Sequence, residues 1–79
     1  MKKILIIGLG YVGTSLSLLL SKFNKVTISD MDNKKLANLS KGILPIDDSF
    51  ANDYLNNNNL NISTVELNKI NYEDYDFLS

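Results

Sequence analysis

Seventy-nine residues, 44% apolar and 22% charged, describe one small globular domain at most, and a chain of this length buries only about 60% of its extended surface. A net charge of −1 with both signs interspersed gives no electrostatic footprint for nucleic acid or an anionic membrane. The chain has neither cysteine nor histidine, so disulfides, thiolate metal sites, a cysteine nucleophile and the commonest general base are all excluded within it.

Met1-Lys2-Lys3 followed by an apolar stretch to Leu20 has the outline of a secretory signal. Three glycines and the hydroxyls of Thr14, Ser15 and Ser17 interrupt it, and no small-residue cleavage site follows. The same interruptions rule out a membrane span, so the expected location is the cytoplasm. Residues 3–7 contain the unbroken apolar run Ile4-Leu5-Ile6-Ile7, the pattern of a parallel strand buried on both faces. A helix is expected over residues 11–23. Helical spacing puts Val12, Leu16, Leu19, Leu20 and Phe23 on its inner face, with Thr14, Ser15, Ser21 and Lys22 opposite. Leu18 lies off that stripe, positioned to meet a neighbouring element.

Residues 26–30 read as a second strand, and Asp32 as the N-cap of a helix whose stripe is Leu36, Leu39 and Ile43, ended by Gly42. Residues 43–48 form a loop with the only proline, Pro45. A weaker helix is expected over residues 49–55 with Phe50, Tyr54 and Leu55 inward, then a turn at Asn56, Asn57, Asn58 and Asn59. Alternation in residues 60–65 predicts a third strand near a sheet edge, followed by a polar helix or loop to Asp74. Asp76-Phe77-Leu78-Ser79 reads as the opening of another strand. These elements predict an α/β fold: a partial Rossmann domain, a doubly wound parallel sheet in β-α-β-α-(α)-β order with its fourth strand cut off. The strand at residues 3–7 would then keep an open edge, an association hazard.

Chemistry concentrates in Gly8-Leu9-Gly10-Tyr11-Val12-Gly13, a G-x-G-x-x-G placed between an apolar strand and an amphipathic helix. That context marks a dinucleotide-binding turn. Gly8 permits the tight exit from the strand, Gly10 lets the backbone approach a pyrophosphate, and Gly13 lets helix and strand pack closely. The first-turn N–H groups and positive dipole end then face the phosphates. Asp30 stands 22 residues after Gly8, where an acid accepts hydrogen bonds from the adenosine ribose hydroxyls and repels a 2′-phosphate. NAD is therefore favoured over NADP, although Lys34 and Lys35 soften the preference. Asp30 could otherwise cap the next helix, a task Asp32 fills equally well. Of the variable turn positions, Val12 is expected in the helix core and Tyr11 as a partly exposed ring. Met31 is expected to pack rather than to line an adenine pocket. Glu73, Asp74 and Asp76 read as a solvated loop rather than a metal or general-acid site.

The turn, with Tyr-Val in its variable positions, resembles the start of the UDP-glucose/GDP-mannose dehydrogenase family. Asp30 and Lys35 stand where that family's D-x-D-x-x-K segment places them, and Gly42-Ile43-Leu44-Pro45-Ile46-Asp47-Asp48 resembles its G-x-x-P-I-x-[DE] loop. The resemblance covers essentially the whole chain and is greatest to the bacterial UDP-glucose 6-dehydrogenases. It implies a two-step, NAD-dependent oxidation of a nucleotide sugar's C6 alcohol to a carboxylate through a cysteine thioester. It also implies a homodimeric full-length enzyme and cofactor contacts at Gly8, Gly10, Tyr11, Val12, Gly13, Asp30 and Lys35. No catalytic residue of the family falls within these 79 positions. On this reading residues 1–79 are an incomplete NAD-binding domain without the catalytic and sugar-binding domains, and inactive alone, since thioester chemistry needs a thiolate.

Two alternatives remain. One is another Rossmann dehydrogenase, such as a prephenate or 3-hydroxy-acid dehydrogenase, against which the Tyr11-Val12 pair and the Pro45-Ile46 loop argue. The other is a non-enzymatic nucleotide-sensing module, against which the expected open sheet edge argues.

Overall fold

The computed structural model describes every residue from Met1 to Ser79. Its centre is a four-stranded parallel sheet. The strands are β1 (Lys3–Ile7), β2 (Lys25–Ser29), β3 (Ile62–Thr64) and β4 (Phe77–Leu78), in the order β3-β2-β1-β4. This is the order in which a Rossmann sheet begins, with the direction of strand addition reversing at β1. Helix α1 (Tyr11–Leu20) joins β1 to β2, and α2 (Asn33–Ser40) and α3 (Ser49–Asn57) lie between β2 and β3. Two short 3₁₀ turns, Leu67–Lys69 and Tyr72–Asp74, lie on the path from β3 to β4.

Of the apolar run of β1, Ile4, Leu5 and Ile6 lie in the interior as the sequence predicts, whereas Ile7, the last residue of the strand, is 43% exposed. Ile4 and Ile6 join Leu9, Leu18, Val26, Ile28, Leu36, Leu39, Leu44 and Ala51 in one core. That core lies between the sheet and the helices of the two crossovers. Leu5 points to the opposite face by strand alternation and is fully buried there. On that face Asp74 and Tyr75 share a cleft with Thr27 and Ser63.

The helix ends follow from local chemistry. Asp32 caps α2, its Oδ1 accepting from the N–H groups of Lys34 and Lys35 at 3.0 and 3.4 Å. Past its C-terminus the N–H of Gly42 donates to Leu39 O and that of Ile43 to Asn38 O, each at 2.9 Å. This paired closure requires a left-handed residue, and Gly42 supplies it at φ +84°. Asp48 caps α3 through the N–H of Ala51.

Four expectations are corrected. The strand at residues 3–7 is not left with an open edge, because β4 pairs with it in parallel. The bonds Asp76 N–H to Lys3 O (2.7 Å), Ser79 N–H to Leu5 O (2.9 Å) and Ile7 N–H to Ser79 O (2.8 Å) extend that ladder to Ser79. The fourth strand is thus present. Second, α1 stops at Leu20 and turns a different face inward. Thr14, Ser17 and Leu18 are buried, as is Ser21 just beyond, whereas Val12, Leu19 and Phe23 are 79%, 59% and 73% exposed. Third, Ile43 and Phe50 are exposed rather than inward; Leu44 and Ala51 take their places in the core. Fourth, α3 runs on through Asn56 and Asn57, so the asparagine turn starts only at Asn58.

The inverted face of α1 has a measurable consequence. Leu18→Ala removes a buried side chain and should cost about 2–5 kcal/mol, while Leu19→Ala, on the exposed side, should stay within about 0.5 kcal/mol. Urea denaturation of the two variants distinguishes this arrangement from the one that hydropathy alone predicts.

Candidate cofactor site

The site is built where β1 ends. Gly8 leaves the strand at φ +109°, a conformation that a side chain strongly disfavours. Its N–H donates to Ser29 O at 2.8 Å, which keeps the turn on the end of β2. Leu9, between the two leading glycines, is buried in the core and anchors the turn from below. Gly10 is the N-terminal flanking residue of α1, extended at φ −76° and ψ −173°. A Cβ at Gly10 would meet nothing within 4 Å, so the space above it is open. A Cβ at Gly13 would lie 2.1 Å from the carbonyl oxygen of Gly8, which no side chain tolerates. The last glycine therefore fixes how closely the helix rests on the turn.

Thr14 N–H makes the first intrahelical bond, to Gly10 O at 3.0 Å. No side chain caps α1. The N–H groups of Gly10, Tyr11, Val12 and Gly13 consequently have no partner in the chain. Four free donors at the positive end of a helix dipole are an anion site. They lie beside β1, at the carboxyl end of the sheet where its strand order reverses, the place where open α/β sheets bind ligands.

Asp30, immediately after β2, is bonded directly to this turn. Its Oδ2 accepts from the N–H of Leu9 at 2.6 Å and its Oδ1 from the N–H of Asp32 at 2.8 Å. These two bonds, the Leu9 one first, hold its carboxyl below the ordinary carboxylate value; partial burial opposes them and the positive charge of Lys35 adds to them. Asp30 does not cap α2, which is the work of Asp32. Lys35 is half-buried on the first turn of α2. Met31 is 86% exposed next to Asp30, so it does not pack as expected. Val12, likewise exposed, lies outside the helix core, and Tyr11 is the partly exposed ring the sequence suggests.

One contact of the site carries no sequence expectation. The hydroxyl of Tyr11 donates to Oδ2 of Asp48, the N-cap of α3. The contact raises the tyrosine's pKa and lowers that of the carboxyl. The clue available beforehand was Asp48's place directly before a helix, at the end of the Pro45-Ile46 loop. Glu73, Asp74 and Asp76 are exposed and lie on the 3₁₀ turn and the approach to β4; Asp76 accepts the N–H of Lys3 at 2.9 Å.

A parallel sheet in 3-2-1-4 order, a glycine turn with four free N–H groups and an acid at the end of the second strand together define a dinucleotide-binding domain. The NAD-binding domain model of the UDP-glucose/GDP-mannose dehydrogenase family matches residues 2–79. The chain belongs to that family, and its cofactor is NAD. No helix is long and apolar enough to cross a membrane.

The two lowered carboxyls set a pH dependence. Asp30 and Asp48 titrate lower in the folded chain than when unfolded. Their contribution to stability is thus complete above the unfolded value of about 4 and is lost as pH falls through the lower folded values. Melting temperatures should be level from neutral pH to about 5 and fall below about 4. Asp30→Asn, which keeps one acceptor oxygen, should melt lower at neutral pH and lose less on acidification.

Proposed function

We propose that residues 1–79 form the NAD-binding portion of a larger dehydrogenase that oxidises the C6 alcohol of UDP-glucose to a carboxylate. The observation that carries the cofactor reading is the uncapped N-terminus of α1, with its four unpartnered N–H groups beside Asp30. In this reading Gly8, Gly10, Tyr11, Val12 and Gly13 surround the pyrophosphate. The free N–H groups hold its oxygens, and the space above Gly10 admits them. Asp30 keeps lone pairs beyond those that Leu9 and Asp32 occupy, and these accept the ribose hydroxyls. Lys35 steadies the carboxylate from the first turn of α2. NAD, when bound, supplies the hydride acceptor.

The family's thioester step needs a thiolate, and the 79 residues include no cysteine. The oxidation is therefore assigned to groups outside these residues. UDP-glucose as the substrate, and a homodimeric assembly, rest on the resemblance of the Tyr-Val turn and the Pro-Ile loop to the UDP-glucose 6-dehydrogenases. A cytoplasmic location fits an N-terminal apolar stretch that is consumed by β1 and α1. A second reading, a nucleotide-sensing module, gains from the pairing of β4 with β1, because that pairing closes the edge which weighed against it.

Calorimetric titration tests the cofactor assignment. NAD should bind at least about tenfold more tightly than NADP, because the Asp30 carboxylate faces the 2′ position. Equal affinities would remove Asp30 from the ribose. Gly10→Ala should melt like the natural chain yet bind NAD more weakly, since its Cβ enters space that only the ligand uses.

The substrate assignment is tested by NADH formation in the protein expressed from its own complete reading frame, with UDP-glucose and GDP-mannose compared. Turnover with UDP-glucose is expected. Turnover with GDP-mannose alone would reassign the substrate, and tight NAD binding with no turnover on either would favour the sensing module.

A further inference from the structure

We propose that Asp48 is a positioning residue for the dinucleotide, acting through the hydroxyl of Tyr11 and not by touching the cofactor. The proposal rests on reading the N-terminus of α1 as the pyrophosphate site. Tyr11 is the first residue of α1, and its own N–H is one of the four free donors. That first turn has no side-chain cap and no acidic residue to steady it. A helix end without such partners frays, so the order of the donor array depends on contacts made from elsewhere.

Tyr11 makes that contact. Its ring spans the gap from the glycine turn to the start of α3, where its hydroxyl donates to Oδ2 of Asp48. The other oxygen of the same carboxylate, Oδ1, accepts the N–H of Ala51 at 3.1 Å and so starts α3. One carboxylate thus fixes two helix N-termini, that of α3 directly and that of α1 through the tyrosine. It is the only hydrogen bond between α1 and α3 with its cap. Leu18 and Ala51 join the two helices in the core, while beside the bond a cleft of about 200 Å³, lined by Tyr11, Ser15, Leu19, Asp48, Phe50 and Tyr54 among others, opens between them. Donors already held in place lose less freedom when a ligand binds, and this is the route by which the tie strengthens NAD binding. Asp48 also ends the loop 42–48, so the position of that loop is linked to the cofactor turn.

The test separates this role from a purely structural one. Tyr11→Phe keeps the ring and removes only the hydroxyl. Asp48→Ser keeps a good cap on α3 but is too short to reach the tyrosine. Each should weaken NAD binding about three- to tenfold, the worth of one hydrogen bond, while lowering the melting temperature by no more than about 4–8 °C. The double variant should be no weaker than either single one, and amide hydrogen exchange at residues 14–16, the first N–H groups bonded within α1, should speed up in all three. Unchanged affinity in either single variant, or losses that multiply in the double variant, would overturn the proposal. A lowered melting temperature with unchanged affinity would overturn it as well, leaving the contact structural only. If the natural chain itself fails to bind NAD, the cofactor reading falls and this proposal falls with it.

Discussion

The close approach of Gly13 to the carbonyl of Gly8 is the constraint on which the rest of the structure depends. A Cβ at Gly13 would stand 2.1 Å from that oxygen, so α1 can lie where it does only because no side chain is present. This approach brings the helix down on the end of β1 and aims its unpartnered N–H groups out over the carboxyl edge of the sheet. It also dictates what the neighbouring turns of α1 can be. A helix held this close to a sheet has no room for large side chains on the contact face near its start. Thr14, Ser17 and Ser21 fill that face, and Leu18 enters the core between them.

Here the sequence misleads. Hydropathy assigns Val12, Leu19 and Phe23 to the interior and Thr14 and Ser21 to water, and the fold reverses all five, leaving Ser15, Leu16 and Leu20 half-buried. Two of the three buried hydroxyls on this face bond within the helix and its C-terminal cap. Ser17 Oγ donates to Gly13 O at 2.6 Å and Ser21 Oγ to Leu18 O at 3.0 Å. Such back-bonding satisfies a hydroxyl without help from the sheet. Thr14 Oγ1 and Ser29 Oγ have no such partner, and each unpaired group carries a desolvation cost. Size, set by the Gly13 approach, outweighs polarity along this face, and no helical periodicity of apolar residues can report that.

Other parts were legible because a single residue decides them. Ile4, Leu5, Ile6 and Ile7 in succession admit little but a buried strand, and the Gly8 turn, the Asp32 cap and the Gly42 terminator each follow from one residue's backbone or side-chain chemistry. The state of the sheet edge was not legible. Phe77-Leu78 can be read as a strand, but pairing with β1 is a long-range event that depends on where the path from β3 delivers the chain. The Tyr11–Asp48 bond was hidden for the same reason, since 37 positions separate its partners. In the sequence Asp48 is only the last residue of the loop 43–48; the fold brings it, at the start of α3, beside the glycine turn.

Two carboxylates therefore brace the turn, and each organises a further element with its second oxygen. Asp30 takes the N–H of Leu9 and, through Asp32, fixes the start of α2. Asp48 takes the hydroxyl of Tyr11 and fixes the start of α3. Both acids are supplied with protein donors, which is why both titrate below the ordinary carboxylate value. Neither draws on the N–H groups of Gly10, Tyr11, Val12 and Gly13. The negative charge beside the site is thus matched to bonds that shape it, while its four backbone donors are left unspent. An anion that reaches the end of β1 meets donors already ordered and facing it, and the acids next to them serve to keep them so.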